Sequence, residues 1–284
     1  PNPSQEGNGI LNFPDETSMD STWKSLRTYL LITPQTLVLL AFLVLPIAMI
    51  GVVSFWKFNG YAMIPAFSWE NYQGIFTSQV TLNTYLNTFK YVVLVWAFCL
   101  AIAFPVAYFL AFNIERQSRR IILFLICTIP FWTSNIIRMI SWIPVLGKEG
   151  LVNQALLGLG IVHLYNFFMI APIFNSLMRI DRDLITAAVD MGASGFQVLK
   201  EIILPLTAPG MAIGSIFVVT LVMGDYLTVR LMGGGQAASV GKLINTQIGS
   251  LQYPLAAANA VLLLAITLIV VVGILRVVDI RKEL

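Results

Sequence analysis

Charged residues punctuate this chain rather than pervade it, and the intervals between them are long. Tyr29–Trp56 and Tyr91–Ile114 contain no Asp, Glu, Lys or Arg. Ile121–Gly147 is interrupted by Arg138 alone, and Leu151–Met178 is again without charge. Ile202–Gly224 opens a fifth apolar run, and Leu243–Leu275 contains a sixth. A helix needs about 20 residues to cross the hydrocarbon of a bilayer, because each residue advances it by about 1.5 Å. Every run meets that length, so the pattern predicts an all-α membrane protein with six transmembrane helices. Prolines 34, 46, 105, 130, 172 and 209 lie in or near these runs. Neighbouring helices can satisfy the carbonyls that such prolines release, so they do not count against the assignment.

The polar intervals have their own patterns. The first 22 residues, PNPSQEGNGILNFPDETSMDST, are polar and acidic, without the basic start and short apolar core of a signal peptide. The expected organisation is a soluble, poorly ordered tail over 1–28 followed by one membrane domain over 29–284. Phe58–Phe89 reads as a long loop, and FSWENYQGIF within it has the amphipathic spacing of a helix lying at the membrane interface. Thr186–Leu206, TAAVDMGASGFQVLKEIILPL, reads as a compact hairpin between the fourth and fifth runs. Its first helix is expected to start near Asp181 and Asp183, whose carboxylates suit a helix N-terminus. Leu184, Ala187, Ala188 and Met191 recur at helical spacing, and Gly192 is a natural left-handed stop. A second short helix is expected through Phe196, Leu199 and Lys200, with Pro205 in the first turn of the fifth span.

Composition narrows the class. The chain is 57% hydrophobic and 11% charged, with a mean hydropathy of +0.81. A soluble fold of 284 residues cannot bury that much apolar surface, whereas a bilayer can accept it. A net charge of +3 is too small to point to nucleic acid. The basic residues are distributed unevenly: with the N-terminus inside, 11 of the 17 fall on the inner side, three of them in ERQSRR. Both termini and the Thr186–Leu206 hairpin are therefore expected in the cytoplasm. Cys99 and Cys127 both lie in apolar runs and read as small buried hydrophobes, not as a disulfide. No phosphate-binding G-x4-G-K-[ST] loop is present, no Cys/His cluster suggests a metal, and the lone His163 leaves no serine–histidine constellation.

Ionisable groups inside spans are costly and mark candidate function. Arg138 lies 18 residues beyond Arg120, and Asp225 lies 20 beyond Pro205, so both sit about 27–30 Å out along outward-running helices. Arg138 can snorkel to the outer headgroups, or the two can pair structurally. Alternatively Asp225, with Tyr226 beside it, faces a solute path, since a carboxylate and an aromatic face suit an ammonium group. Trp132 and Trp142 either extend that aromatic surface or anchor at the interface, and His163 reads as an interface residue. Gly210 and Gly214 form a G-x-x-x-G pair, the spacing of close helix packing.

The hairpin also carries a resemblance. Thr186-Ala187-Ala188, then Gly192, then Ile202, Leu204 and Pro205 fit the spacing E-A-A-x3-G-x9-I-x-L-P, with Asp190 inside it and Thr186 replacing the leading Glu. This resembles the cytoplasmic loop of the inner-membrane permease subunits of binding-protein-dependent ABC importers. A second block, PFWTSNIIRMISWIPVLGKEGLVN at Pro130–Asn153, resembles the spermidine/putrescine-type subgroup, as does MGDYL at Met223–Leu227 followed by LMGGG. Many relatives have Glu-Phe where this chain has Asp225-Tyr226. The resemblance covers roughly residues 30–280.

It implies a type I ABC importer permease fold, with the hairpin as a coupling helix that docks into a groove on an ATPase subunit. The implied partners are a second homologous permease, two cytoplasmic ATPases that bind ATP and Mg, and an extracytoplasmic binding protein. No cofactor is expected in this chain itself. The expected activity is translocation in a bacterial inner membrane, not catalysis, with a polyamine as solute. Related permeases move opines, other amines and different solutes. Two other classes compete: a secondary transporter or channel, which needs no coupling loop, and a lipid-acting membrane enzyme, for which only Arg138 and Asp225 offer polar groups at one depth.

Overall fold

A computed structural model describes residues 32–146, 157–232 and 238–278; the tail over 1–28 lies outside them. Eleven helices are defined among the described residues. They are α1 Ile32–Val53, α2 Glu70–Thr77, α3 Gln79–Asn113, α4 Gln117–Trp132, α5 Asn135–Leu146, α6 Leu157–Met178, α7 Arg182–Asp190, α8 Gly195–Met223, α9 Leu227–Met232, α10 Val240–Gly249 and α11 Tyr253–Val277. A two-residue hairpin, β1 Lys57–Phe58 with β2 Met63–Ile64, precedes α2. Four helices are long and apolar enough to cross a membrane: α1, α3, α8 and α11. The apolar α6 is a fifth candidate.

The chain divides after Val52 into two units. In the first, α1 widens into a π turn over Leu40–Val44, so that Leu45 N–H bonds to Leu40 O and the next residue, Pro46, needs no acceptor. In the second, α6 packs against α3 and α8, and α8 also packs against α3 and α11. The buried contacts are small or branched: Val95, Cys99, Ala103 and Ala107 on α3, Met169, Ile173 and Leu177 on α6, Val218 and Val222 on α8. Small residues let helix backbones approach closely where the hydrophobic effect cannot drive association between spans. Cys99 is buried and Cys127 half-buried, and neither forms a disulfide.

Polar side chains also join these helices to one another. Tyr85 Oη donates to Asn259 O and Oδ1 at 3.1 and 3.2 Å, Asn259 Nδ2 donates to Gln247 Oε1 at 3.2 Å, and Val240 N–H donates to Thr88 Oγ1 at 2.9 Å. Trp96 Nε1 donates to Ser215 Oγ at 2.8 Å, tying α3 to α8. In a low-dielectric interior such bonds fix register, because leaving the same groups unpaired is costly.

The third span differs from its expected form. Ile121–Gly147 is not one helix but two, of 16 and 12 residues, separated by an extended Thr133 (φ −81°, ψ 146°) and Ser134. Pro130 cannot donate to the ladder, and Thr133 Oγ1 takes Pro130 O at 2.9 Å, offering that carbonyl a partner outside the helix. The loop expected over Phe58–Phe89 is also shorter. Ser78 caps α3, so the second span begins at Gln79 and not near Tyr91. Hydropathy hides these roughly three turns of helix because Thr81, Thr84 and Thr88 are polar yet buried. The amphipathic FSWENYQGIF does form a helix, α2, beside a cluster of Phe55, Phe67, Trp69 and Tyr72 rings.

Candidate functional site

At one end of α6 the chain turns back through Asp181. Its side chain accepts from Asp183 N–H at 3.0 Å and caps α7, the role its position before a helical pattern predicts. Thr186 Oγ1 bonds Arg182 O at 3.1 Å within the helix. Gly192 has φ +89°, and a Cβ built there meets no atom within 4 Å. Glycine is thus required by backbone conformation and not by crowding. Ala193 N–H then returns to Ala188 O at 3.0 Å. Ser194 and Gln197 form a capping box at the start of α8.

The expected second short helix is not separate. It passes through a π turn over Val198–Ile203 into Leu204–Met223, so hairpin and fifth span share one helix of 29 residues. Leu204 N–H reaches Leu199 O, five residues back, and the following Pro205 has no donor to place. The same arrangement precedes Pro46 in α1. A wider turn lets a proline enter a helix without ending it.

The hairpin surface is mixed. Met191 is 84% exposed and Phe196 72% exposed, with Leu184 and Val189 also outward. Of the two alanines only Ala187 faces out. Ala188 is buried in the core with Val198 and Ile203, while Asp190 is exposed, Ile202 and Leu204 are half-buried and Pro205 is exposed. Ala188, Met191, Gly192, Ala193, Val198 and Ile202 line part of a concavity of about 380 Å³.

Gly210 and Gly214 lie where α8 crosses α6. A Cβ on Gly210 would stand 2.5 Å from Ser176 Oγ and 2.6 Å from Pro172 O, and one on Gly214 would stand 2.7 Å from Met169 Sδ. Any side chain at Gly210 would force the two backbones apart.

At the other end of α8, Asp225 follows Gly224 in a turn. Tyr165 Oη, from α6, donates to Asp225 Oδ2 at 2.8 Å, and Thr228 N–H donates to Asp225 Oδ1 at 3.0 Å. Ser239 Oγ donates to the Asp225 carbonyl at 3.2 Å, and Gly241 packs so closely that a Cβ would lie 3.0 Å from Gly224 O. Arg138 on α5 is close enough to interact electrostatically with Tyr165 and with His163. The structure therefore joins Tyr165, Thr228 and Ser239 to Asp225, with Arg138 in the same region. Tyr226 is 38% exposed beside them, and Trp132, 79% exposed, ends α4 at the break in the third span. Trp142 belongs to α5, and its side chain lies outside the described residues, as do residues 147–153 of the Pro130–Asn153 block. Sequence reasoning missed Tyr165, Thr228 and Ser239. The detectable signal was a tyrosine in an uncharged run; no local pattern links it to residue 225.

The chain matches the family described as "Binding-protein-dependent transport system inner membrane component" over residues 33–281. It belongs to that family. It is 30% identical over 260 residues to the spermidine/putrescine transport system permease protein PotB of Escherichia coli (strain K12), covering 84% of this chain and 92% of that protein. It is 31% identical over 198 residues to PotB of Haemophilus influenzae, covering 59% of this chain and 68% of that protein. A crystal structure of a bacterial alginate ABC transporter with its pentasaccharide-bound periplasmic protein contains a chain that aligns with a TM-score of 0.71 at 17% identity, covering 90% of this chain and 94% of that one. At that identity the likeness is one of fold. The permease is thus a multi-pass inner-membrane subunit of an ABC importer with the type I arrangement, and it moves solute instead of catalysing a reaction.

Proposed function

We propose that this permease carries a polyamine, spermidine or putrescine, across the inner membrane, driven by a cytoplasmic ATPase that docks on the α7–Gly192–α8 hairpin. The observation that carries the coupling half is the hairpin's construction. It is capped at both starts, turned by a glycine at φ +89°, exposes Met191 and Phe196, and runs without a break into a span. The solute half is supported by the two PotB relatives and by the carboxylate of Asp225 beside exposed Tyr226, a pairing that suits an ammonium group.

The complex comprises this chain, a second homologous permease, two ATPases that hold ATP and Mg, and an extracytoplasmic binding protein; this chain needs no cofactor. Thr186, Ala187, Asp190, Gly192 and Pro205 present the coupling surface, which Ala188, Ile202 and Leu204 support from behind. Asp225, Tyr226, Arg138, Trp132 and Trp142 border the solute path. The broken α4–α5 pair counts as the third of six spans, and both termini and the hairpin are cytoplasmic.

Uptake of labelled spermidine by proteoliposomes holding the whole complex tests the solute. Saturable, ATP-dependent uptake that putrescine competes is expected, and uptake of a different solute unaffected by either polyamine would overturn the assignment. Single cysteines replacing Gly192 and Gln252, in a background lacking Cys99 and Cys127, test orientation. They are expected to react with an impermeant thiol reagent from opposite sides; reaction from one side would refute the map.

A further inference from the structure

The hairpin touches the bundle at a second point besides α8. The last carbonyls of any helix lack intrahelical partners and carry the negative end of its dipole. At the end of α3, where the helix widens into a π turn over Phe109–Asn113, two guanidinium groups meet these carbonyls. Arg120, buried at the start of α4, donates from Nη2 to Ile114 O at 2.6 Å and from Nη1 to Met178 Sδ at 3.4 Å. It thereby pins α3, α4 and the end of α6 together. Arg182 donates from Nη2 to Ala111 O at 3.0 Å. Arg182 is the first residue of α7, so this bond belongs to the hairpin.

We propose that Arg182 is a positioning residue that transmits hairpin movement to α3, through its guanidinium on the Ala111 carbonyl, in parallel with the direct path along α8. The proposal rests on the hairpin being the ATPase-docking element. Ala111 is buried, so a displacement of α7 loads α3 directly and is not absorbed by a loop. At 35 residues, α3 is about 50 Å long and reaches the opposite end of the bundle. There Tyr85 and Thr88 hold α11 and the start of α10. The start of α10 in turn presses Gly241 against the Gly224–Tyr226 turn. One helix therefore joins the hairpin to the Asp225 turn without passing through α8. A guanidinium suits the task because its fork holds direction, whereas a lysine ammonium is a point charge on a flexible stem.

The test uses the complete complex in proteoliposomes and reads ATP hydrolysed per solute imported, together with ATPase retention. Arg182→Gln is expected to keep the ATPase bound and hydrolysing while the ATP-to-solute ratio rises about fivefold or more, the range of typical coupling energies. Arg182→Lys is expected to raise it less. An unchanged ratio overturns the proposal. Loss of bound ATPase makes Arg182 a docking residue, and loss of hydrolysis with the ATPase still bound makes it an activator; either outcome also overturns it. If Arg182→Gln is not recovered in membranes, Arg182→Lys carries the test, a raised ratio supporting transmission and an unchanged one refuting it. Gly192→Val run alongside separates the two readings: full hydrolysis and uptake in that variant would remove the hairpin's docking role itself, whatever Arg182 does.

Discussion

The two ends of α8 are held in different ways. The hairpin end follows local rules: Asp181 and Ser194 cap their helices two or three residues on, and Gly192 turns the chain by its own conformation. The Gly224–Tyr226 end depends mostly on residues remote in sequence. Tyr165 comes from α6, Ser239 from the segment before α10, and Gly241 from α10 itself. A locally built element keeps its shape while another subunit occupies its surface. An element built by tertiary contacts keeps its shape only while the helices around it keep theirs. On the proposed function, the hairpin end is therefore suited to receive force and the Asp225 end to respond when the bundle rearranges.

The largest effect belongs to the hairpin end. No atom lies within 4 Å of a Cβ at Gly192, so bulk alone does not explain a requirement for glycine there. Positive φ does: a β-branched side chain in this region costs on the order of 1–3 kcal/mol and is relieved by moving the turn. Gly192→Val is expected to insert normally yet to abolish uptake and solute-stimulated hydrolysis. Asparagine tolerates left-handed backbone, so Gly192→Asn is expected to retain most uptake. Equal loss in both variants would mean that surface chemistry at this residue matters, not turn geometry.

Charge at the Asp225 end comes next. Asp225→Asn keeps an oxygen for Thr228 N–H and offers its amide to Tyr165 Oη, so it removes charge while preserving the turn. If a cationic solute meets this carboxylate, losing a charge-assisted bond lowers uptake by roughly tenfold or more at matched membrane levels. Thermal stability is expected to stay near that of the unaltered chain. Adding Arg138→Gln is expected to restore nothing. Restoration by the double variant would instead show that Asp225 neutralises Arg138.

The same contrast decides what could be read from the sequence. The Asp181 cap and the Gly192 turn depend on neighbours within a few residues, and the hairpin was legible down to its glycine. The packing of Gly210 and Gly214 was legible as a spacing, because helical period places both on one face. The break at Thr133 was not: Pro130 lies inside its helix as Pro105, Pro172 and Pro209 lie inside theirs, so proline alone does not mark where a helix ends three residues later. The polar start of α3 was hidden because hydropathy cannot distinguish a buried threonine from a solvated one. Of the partners of Asp225, Thr228 lies three residues on, at capping distance, but Tyr165 and Ser239 lie 60 and 14 residues away and follow no period, so no local signal could have placed those two.

The smallest effect separates the contact at this turn from its charge. Tyr165→Phe removes the donor to Asp225 Oδ2 and the hydroxyl's contact with Thr228, while the ring stays buried. Asp225 keeps Thr228 N–H on Oδ1, and its half-buried position lets water replace the phenol. The cost is therefore the net value of one or two hydrogen bonds, about 1–2 kcal/mol, read as a small lowering of the melting temperature of the detergent-solubilised complex. Uptake is expected to fall less than threefold, because the carboxylate still carries its charge at nearly the same place; this margin is about 0.6 kcal/mol in rate terms. Asp225→Asn should do the reverse, leaving melting nearly unchanged and cutting uptake. Should Tyr165→Phe reduce uptake as severely as Asp225→Asn, the shape of the turn and not its charge would govern transport, and the assignment of Asp225 to the solute path would fall.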